Sequence, residues 1–442
     1  VKERDKQPVR LLSGEGGGVS AVGGRGEYLR FVLAKAGFDT LSAVGKLASY
    51  LQIDRARFAF AGIKDKSAIT VQELTVRVEN GLPTAETLAG VSRWVPRLRV
   101  GGVECCEEPL QAGRHGANRF VVLLRRLKRT CSEKRVARAL RTVAKRGFIS
   151  YYGHQRFGLA MRSSMPTVKV GKALLQAKWH EAVALAMSPE LVSEAGERAA
   201  KEAFCRTWEE SKGKPGRRNI MEAAAKALRE LPSHCLGEAA LLRGLTGGKA
   251  SQQALREMPH RQMYMLSYWS WLWNRSASLR VKTFGAKRVV QGDVVCLDTE
   301  MRGTGDRLMD VKVVSAEEAR KLTYNILDVV LPLLGRAVNL TVPENAVGEA
   351  LHAWIDEEGM RDAISAPNTR QTHPSKIGTS PCLFRHLIVQ PAGLEWDVLR
   401  YDEEDDLQVV DDGEVGRFAS TSGRESTYGS NSAAEKGVKG DS

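Results

Sequence analysis

Phe58-Ala59-Phe60-Ala61-Gly62-Ile63-Lys64-Asp65-Lys66-Ser67-Ala68-Ile69-Thr70-Val71-Gln72 is the stretch on which the reading of this chain turns. The apolar run from Phe58 to Ile63 reads as a buried strand. It breaks at Lys64-Asp65-Lys66, and a second strand begins at Ile69, where Leu74, Val76 and Val78 alternate with Thr75 and Arg77. A carboxylate is thereby set where two strands meet, with a lysine on either side in sequence. Flanking cations favour the ionised form of a carboxylate, and an ionised Asp at a strand end suits a nucleophile or a general base. An ordinary charged turn has the same local pattern.

Downstream, Asn118-Arg119-Phe120-Val121-Val122-Leu123-Leu124-Arg125 alternates as a further strand, with Phe120, Val122 and Leu124 on one face. Upstream, Leu41, Val44, Leu47, Ala48 and Leu51 make one apolar face and predict a helix over Thr40–Leu51. The first 158 residues thus mix strands and helices in the α+β manner. Residues 128–146 predict a helix with an aliphatic stripe (Val136, Leu140, Val143, Ala144) and a dense cationic face. That face is either a solvated surface or a contact for phosphates. Residues 159–375 are mostly helical in pattern, with basic loops such as 211–218. Tyr264, Tyr268, Trp269, Trp271 and Trp273 crowd several faces of one predicted helix, the pattern of a buried helix rather than of a base-stacking platform.

The chain has 442 residues, enough for two or three domains, and a formal net charge of +14. Residues 402–442 hold eleven acids and four bases, a net of −7, which leaves +21 on the first 401. Such an excess favours a polyanion, of which nucleic acid is the commonest; a basic surface serving only solubility is the alternative. The acidic and then Ser/Gly-rich composition of that last segment reads as disorder. Seven cysteines, with Cys105-Cys106 adjacent and no CxxC, fit free buried thiols in a reducing compartment and carry no zinc signature. No run of eighteen apolar residues occurs, so no membrane span is expected. The Gly-rich residues 1–27 lack the strand–loop–helix context and the Lys-Ser/Thr ending of a nucleotide loop, and read as a flexible segment.

Ala61 to Gln72 resembles the signature of the TruD-type pseudouridine synthases, and is nearer to their eukaryotic branch. Asn118 to Arg125 is similar to a second motif of that family. Gly147-Phe148-Ile149-Ser150-Tyr151-Tyr152-Gly153-His154-Gln155-Arg156-Phe157-Gly158 is similar to a third, with Ser150 where the family usually has Asn. Weaker likeness extends the resemblance over about residues 26–400, in the family's order. It implies a pseudouridine-synthase-like catalytic domain on a mixed or antiparallel sheet (residues 1–158) and a large, mainly helical α/β insertion (159–375). A return to the catalytic domain (376–401) and the tail (402–442) complete the order.

The implied activity is isomerisation of uridine to pseudouridine within RNA, with tRNA expected ahead of rRNA or mRNA. No cofactor, no metal, no membrane and a monomer are implied. The resemblance makes Asp65 the catalytic residue, as nucleophile or as base, and has Asn118 contact the substrate. Phe120 is the candidate ring for the extruded base. Lys64 and Lys66 hold the carboxylate ionised or meet phosphates, and Arg156 is an RNA contact or a buried structural arginine. A catalytically idle RNA-binding homologue acting as an assembly factor is the alternative. An intracellular site is expected, with nucleus, cytoplasm and mitochondrion left open because the chain starts at Val1 rather than Met. Val1-Lys2-Glu3 resembles the second half of the family's opening strand, and nothing in Asp402–Ser442 matches its closing strand. Weak or no activity is therefore expected of residues 1–442 alone.

Overall fold

Alternation along Tyr28–Ala36 builds the first strand, β1, with Leu29, Phe31 and Leu33 all buried on one face. In this computed structural model the described residues are 27–398, apart from 114–116, 126, 129–130, 159–164, 192–194, 211–215, 233–234, 260, 303–305, 307, 336–340 and 366–381. Short pieces at 408–410, 417–419 and 431–432 are also described. The chain divides into two compact units, one of Val1–Arg141 with Ala392–Ser442, the other of Thr142–Pro391.

In the first unit β1 is followed by α1 (Thr40–Leu51), β2 (Phe58–Phe60), β3 (Ile69–Arg77), α2 (Ala85–Trp94) and β4 (Leu98–Cys106). The sheet is antiparallel in the order β2-β3-β1-β4. Its register sets Phe31 opposite Leu74, Leu33 opposite Gln72 and Lys35 opposite Thr70. Leu74, Val76 and Phe58 join the β1 residues in a core shared with Ala43, Val44 and Leu47 of α1 and Leu88 and Val91 of α2. Helix α1 starts where Asp39 accepts from the Ser42 N–H at 2.8 Å, and ends at Gln52 in the left-handed conformation. Its limits are those the apolar spacing predicts.

Two expectations fail here. The apolar run after Phe58 leaves the sheet at Phe60, and Ile63 is exposed. Residues 117–125 form no strand, and Phe120, Val122 and Leu124 are 62, 67 and 69% exposed. Alternation makes a strand only where a neighbouring strand takes up the backbone N–H and C=O groups, and no strand among the described residues is laid against this run.

Helix α3 (Glu133–Arg146) carries the chain past the first seam, at 141/142. Gly147 ends it at φ +72°, with its N–H on the Val143 carbonyl at 2.8 Å. A Cβ at Gly147 would lie 2.5 Å from the Val389 carbonyl oxygen and 2.8 Å from Cγ2 of Ile388. Gly147→Ala combines a disfavoured backbone with a clash, so it is expected to cost roughly 2–4 kcal/mol. Thermal unfolding of that variant checks the value; an unchanged melting temperature would show that this corner yields.

The second unit opens with β5 (Phe148–Ile149) and continues through helices α4 (Pro166–Leu175), α5 (Trp179–Ala186), α6 (Ala195–Glu210), α7 (Arg217–Glu230), α8 (Leu236–Thr246), α9 (Ser251–Arg256) and α10 (Arg261–Phe284). Its antiparallel sheet runs in the order β7 (Val311–Val313), β6 (Val294–Cys296), β8 (Val329–Leu333) and β9 (Leu383–His386). Helices α11 (Ala316–Lys321), α12 (Ala346–Glu357) and α13 (Arg361–Ser365) lie between these strands in sequence, and β10 (Ile388–Val389) pairs with β5. Tyr268, Trp269 and Trp273 of α10 are fully buried, as the spread of aromatics over several faces predicts. Gly171 of α4 admits the Tyr264 backbone so closely that a Cβ would sit 2.0 Å from its carbonyl oxygen. Arg280 and Asp293, both buried, pair at 2.7 Å.

The expected insertion limits at 159 and 375 are not the seams between the two units. Residues 148–157 belong with 142–391, because β5 pairs with β10 and the Ser150 N–H donates to the Leu387 carbonyl at 2.9 Å. Within the tail expected to be disordered, β12 (Gln408–Val410) pairs with β13 (Arg417–Ala419), and β14 (Asn431–Ser432) pairs with β11 (Glu395–Trp396). The remainder of that tail and residues 1–26, including the Gly-rich segment and Val1-Lys2-Glu3, lie outside the described residues, as do residues 211–215 of the basic loop. All seven cysteines are thiols outside any disulfide, with Cys235, Cys296 and Cys382 buried and the other four half-buried. Among the described residues no helix is long and apolar enough to cross a membrane.

Candidate active site

One face of the first unit's sheet turns from apolar to polar at the end where Lys64-Asp65-Lys66 connects β2 to β3. Period-two alternation that buries Leu29, Phe31 and Leu33 puts Lys35 on that same face, and alternation in β3 does so for Gln72. Lys35, only 1% exposed, donates from Nζ to three carbonyl oxygens, of Phe38 at 2.7 Å, Asp65 at 2.9 Å and Lys64 at 3.2 Å. Fully buried Thr40, the first residue of α1, accepts from the Lys64 N–H at 2.8 Å and donates to Oε1 of Gln72 at 2.7 Å. Gln72 in turn donates from Nε2 to the Gly62 carbonyl at 3.1 Å. The Gly113 N–H reaches the Ala61 carbonyl at 2.8 Å. Five backbone groups between Ala61 and Asp65 are thus tied to the side chains of Lys35, Thr40 and Gln72 or to the Gly113 N–H.

Electrostatics follow from this placement. Burial pushes the Lys35 amine below its ordinary value, the charges of Asp39 and Asp65 pull it back, and Lys64 lowers it further. Asp65 and Lys66 are themselves exposed, and Ile63 and Ile69 stand exposed beside them. The arrangement is a rigid base beneath a carboxylate that faces outward, where a bound molecule can meet it.

Of the sequence-predicted site residues, three gather here: Asp65, Lys64 and Asn118. Lys64 Nζ donates to Oδ1 of Asn118, which brings the first and second motifs together. Lys66 belongs to the same turn. Phe120 lies two residues beyond Asn118 on the exposed, strandless run, so its ring is not held on a strand face as expected.

Arg156 belongs to the second unit, where the third motif builds a polar cluster of its own residues. Its guanidinium lies 5.3 Å from the ring centre of Tyr152. The Tyr152 phenol, driven well above its ordinary range by burial and by Asp306, donates to Oδ1 of Asp306 at 2.7 Å. Arg385 donates to Asp306 at 2.9 Å and to the Ser150 carbonyl at 2.8 Å, with its guanidinium 4.1 Å from the Tyr152 ring centre. Asn274 accepts from the Tyr152 N–H at 2.9 Å and donates to its carbonyl at 3.0 Å, a polar residue ordering local backbone.

Sequence reasoning missed Lys35, Thr40 and Gln72. The signal for two of them was present: a lysine two residues past Leu33, and a glutamine two before Leu74, continue buried-face positions with polar atoms. Thr40 was readable only as a helix start. Among the described residues no group of three or more His, Cys, Asp or Glu is arranged to hold a metal ion.

The family profile described as tRNA pseudouridine synthase D (TruD) matches residues 12–364. Pseudouridylate synthase 7 homolog of Bos taurus is 33% identical over 384 residues, covering 86% of this chain and 52% of its own; the Homo sapiens protein of that name is 32% identical over 384 residues, covering 86% and 51%. Multisubstrate pseudouridine synthase 7 of Schizosaccharomyces pombe is 27% identical over 412 residues, covering 88% of this chain and 56% of that protein. The chain spans about half the length of these curated relatives. The crystal structure of a putative tRNA pseudouridine synthase D from Methanosarcina mazei has the same fold, with a TM-score of 0.55 and 20% identity, covering 88% of this chain and 83% of that one.

Proposed function

The chain belongs to the TruD family of pseudouridine synthases, and from that membership we propose that it isomerises uridine to pseudouridine within RNA, tRNA first among its substrates, with Asp65 as the catalytic carboxylate. The observation that carries this reading is the Asp65 turn: an outward-facing carboxylate on a backbone fastened through Lys35, Thr40 and Gln72. The reaction breaks the bond from uracil N1 to ribose C1′ and forms one from C5 to C1′; N1 gains a proton and C5 loses one. Atoms and electrons balance within one nucleotide, and the protein's share is to assist cleavage at C1′ and to hold the freed base while it turns.

Asp65 acts at the ribose. Asn118, which offers two donors and an acceptor, reads the uracil edge or a ribose hydroxyl beside it, and Lys64 keeps Asn118 oriented. Phe120 stacks on the extruded base, repaying part of the few kcal/mol that unstacking costs, and Lys66 meets a neighbouring phosphate. Arg156 serves its own unit, packed on Tyr152.

Incubation of the protein with tRNA, followed by a pseudouridine-selective chemical label, tests the activity. Labelled positions that appear only with enzyme are expected. Bound but unlabelled RNA would replace this reading with that of an RNA-binding assembly factor.

A further inference from the structure

We propose that helix α3 is an RNA-backbone contact, its stripe of Lys134, Arg138, Arg141 and Lys145 following the phosphates of one strand. The inference rests on the RNA-directed reading above and goes beyond it by placing the polyanion on a named surface.

Spacing of i, i+4, i+7 and i+11 puts the four cations within an arc of about 60° and along about 16 Å of helix. All four are exposed, whereas Val136, Leu140 and Val143 on the opposite side are half-buried. No residue of this helix is fully buried, so little core packing holds it. It is anchored instead at its last turn, where Gly147 closes on Val143 and Gln390 Nε2 donates to the carbonyls of Ala144 at 2.7 Å and Lys145 at 3.3 Å. Those bonds from the Gln390 amide take up two of the helix's terminal carbonyls.

The charge pattern works against the helix itself. Lys134 and Arg135 sit in its first turn, where the macrodipole is positive and Glu133 is the acid present. Like charges at Lys134/Arg138 and Arg141/Lys145 each cost a few tenths of a kcal/mol at i,i+4 spacing. A helix built for stability alone would place acids in its first turn and alternate signs along this face. A polyanion laid along the stripe removes both penalties. Arg141 also stacks at 6.0 Å on the ring of Trp396, which sets one guanidinium of the stripe against a half-buried aromatic. RNA is the polyanion favoured here, because it carries a charge at every nucleotide and is the substrate class already inferred.

The test is the salt dependence of binding to a fluorescently labelled single-stranded RNA and to a stem-loop RNA. Three proteins are compared: the parent, Lys134→Gln/Lys145→Gln, and the control Lys282→Gln/Lys287→Gln, which removes the same charge from other exposed positions. Each phosphate contact contributes about 0.7 to the log–log slope on single strands and about 0.9 on duplex. The α3 pair is expected to flatten the slope by about 1.4–1.8 and the control pair by much less, with both melting temperatures held. An unchanged slope, or equal flattening by both pairs, overturns the proposal. Competition by poly-glutamate as strong as by RNA also overturns it, by assigning the stripe to acidic protein. Turnover at saturating RNA and low salt should match the parent in the control pair Lys282→Gln/Lys287→Gln. A parent that makes no pseudouridine but shows the slope difference would sink the proposed activity and leave the stripe standing.

Discussion

An Asp65→Asn protein is expected to bind RNA within a few-fold of the parent and to lose about 10²–10⁴-fold in pseudouridine turnover. Amide and carboxylate have nearly the same shape, so the exposed turn, whose fastening runs through backbone atoms and the side chains of Lys35, Thr40 and Gln72, should keep its geometry. Only the carboxylate can attack C1′ or accept a ribose proton, and loss of such a group commonly costs 10²–10⁴ in rate. Affinity is expected to come chiefly from phosphate contacts elsewhere and should not follow. Single-turnover kinetics with labelled RNA, beside a binding titration and a thermal melt, checks all three parts. Substantial isomerisation by the Asn variant would remove Asp65 from the mechanism.

Lys35→Met should fail differently, losing stability as well as rate. Methionine can fill the space of the lysine stem, but the carbonyls of Phe38, Lys64 and Asp65 lose their common donor. A hydrogen bond from a charged group is worth roughly 1.5–3 kcal/mol, and relief of the desolvated cation offsets part of the loss. A net cost of about 2–4 kcal/mol is expected, with turnover down roughly a hundred-fold and KM little changed, since Lys35 lies beneath the turn rather than on its outer side. The pH dependence has a definite sign. Because the native amine titrates below the unfolded value near 10.5, the unfolded chain holds the extra proton between the two values. The contribution of Lys35 to stability therefore rises with pH across that window and is smallest below it, and the Met variant should lack this rise. Denaturant unfolding at several alkaline pH values, paired with kcat and KM, separates this outcome from that of Asp65→Asn.

Much of this architecture was legible because it follows local rules. Helix α1 begins at a capping Asp39 and ends where its apolar spacing stops, and β3 begins at Ile69 where alternation resumes. Both features are written within a dozen residues. Residues 117–125 carry an equally clear alternation and form no strand, because pairing depends on a neighbour that periodicity cannot name. The seams at 141/142 and 391/392 were likewise hidden, since they reflect a β5–β10 pairing between residues about 240 apart in sequence. At the site, Asp65 stood out through its motif. The residues beneath it did not, although Lys35 continues the buried face of β1; a lysine at a strand end is ordinarily read as solvated.

The bond from Thr40 to the Lys64 amide makes the turn readable without any substrate. That hydrogen can trade with solvent deuterium only when Oγ1 of Thr40 lets go, and Thr40 is held by Gln72, which also holds Gly62. Release at one point therefore loosens the others, and the turn opens as one unit. The deuteration rate of the Lys64 amide becomes a clock for how often the folded protein presents a disassembled site, and it can be followed in the apo protein.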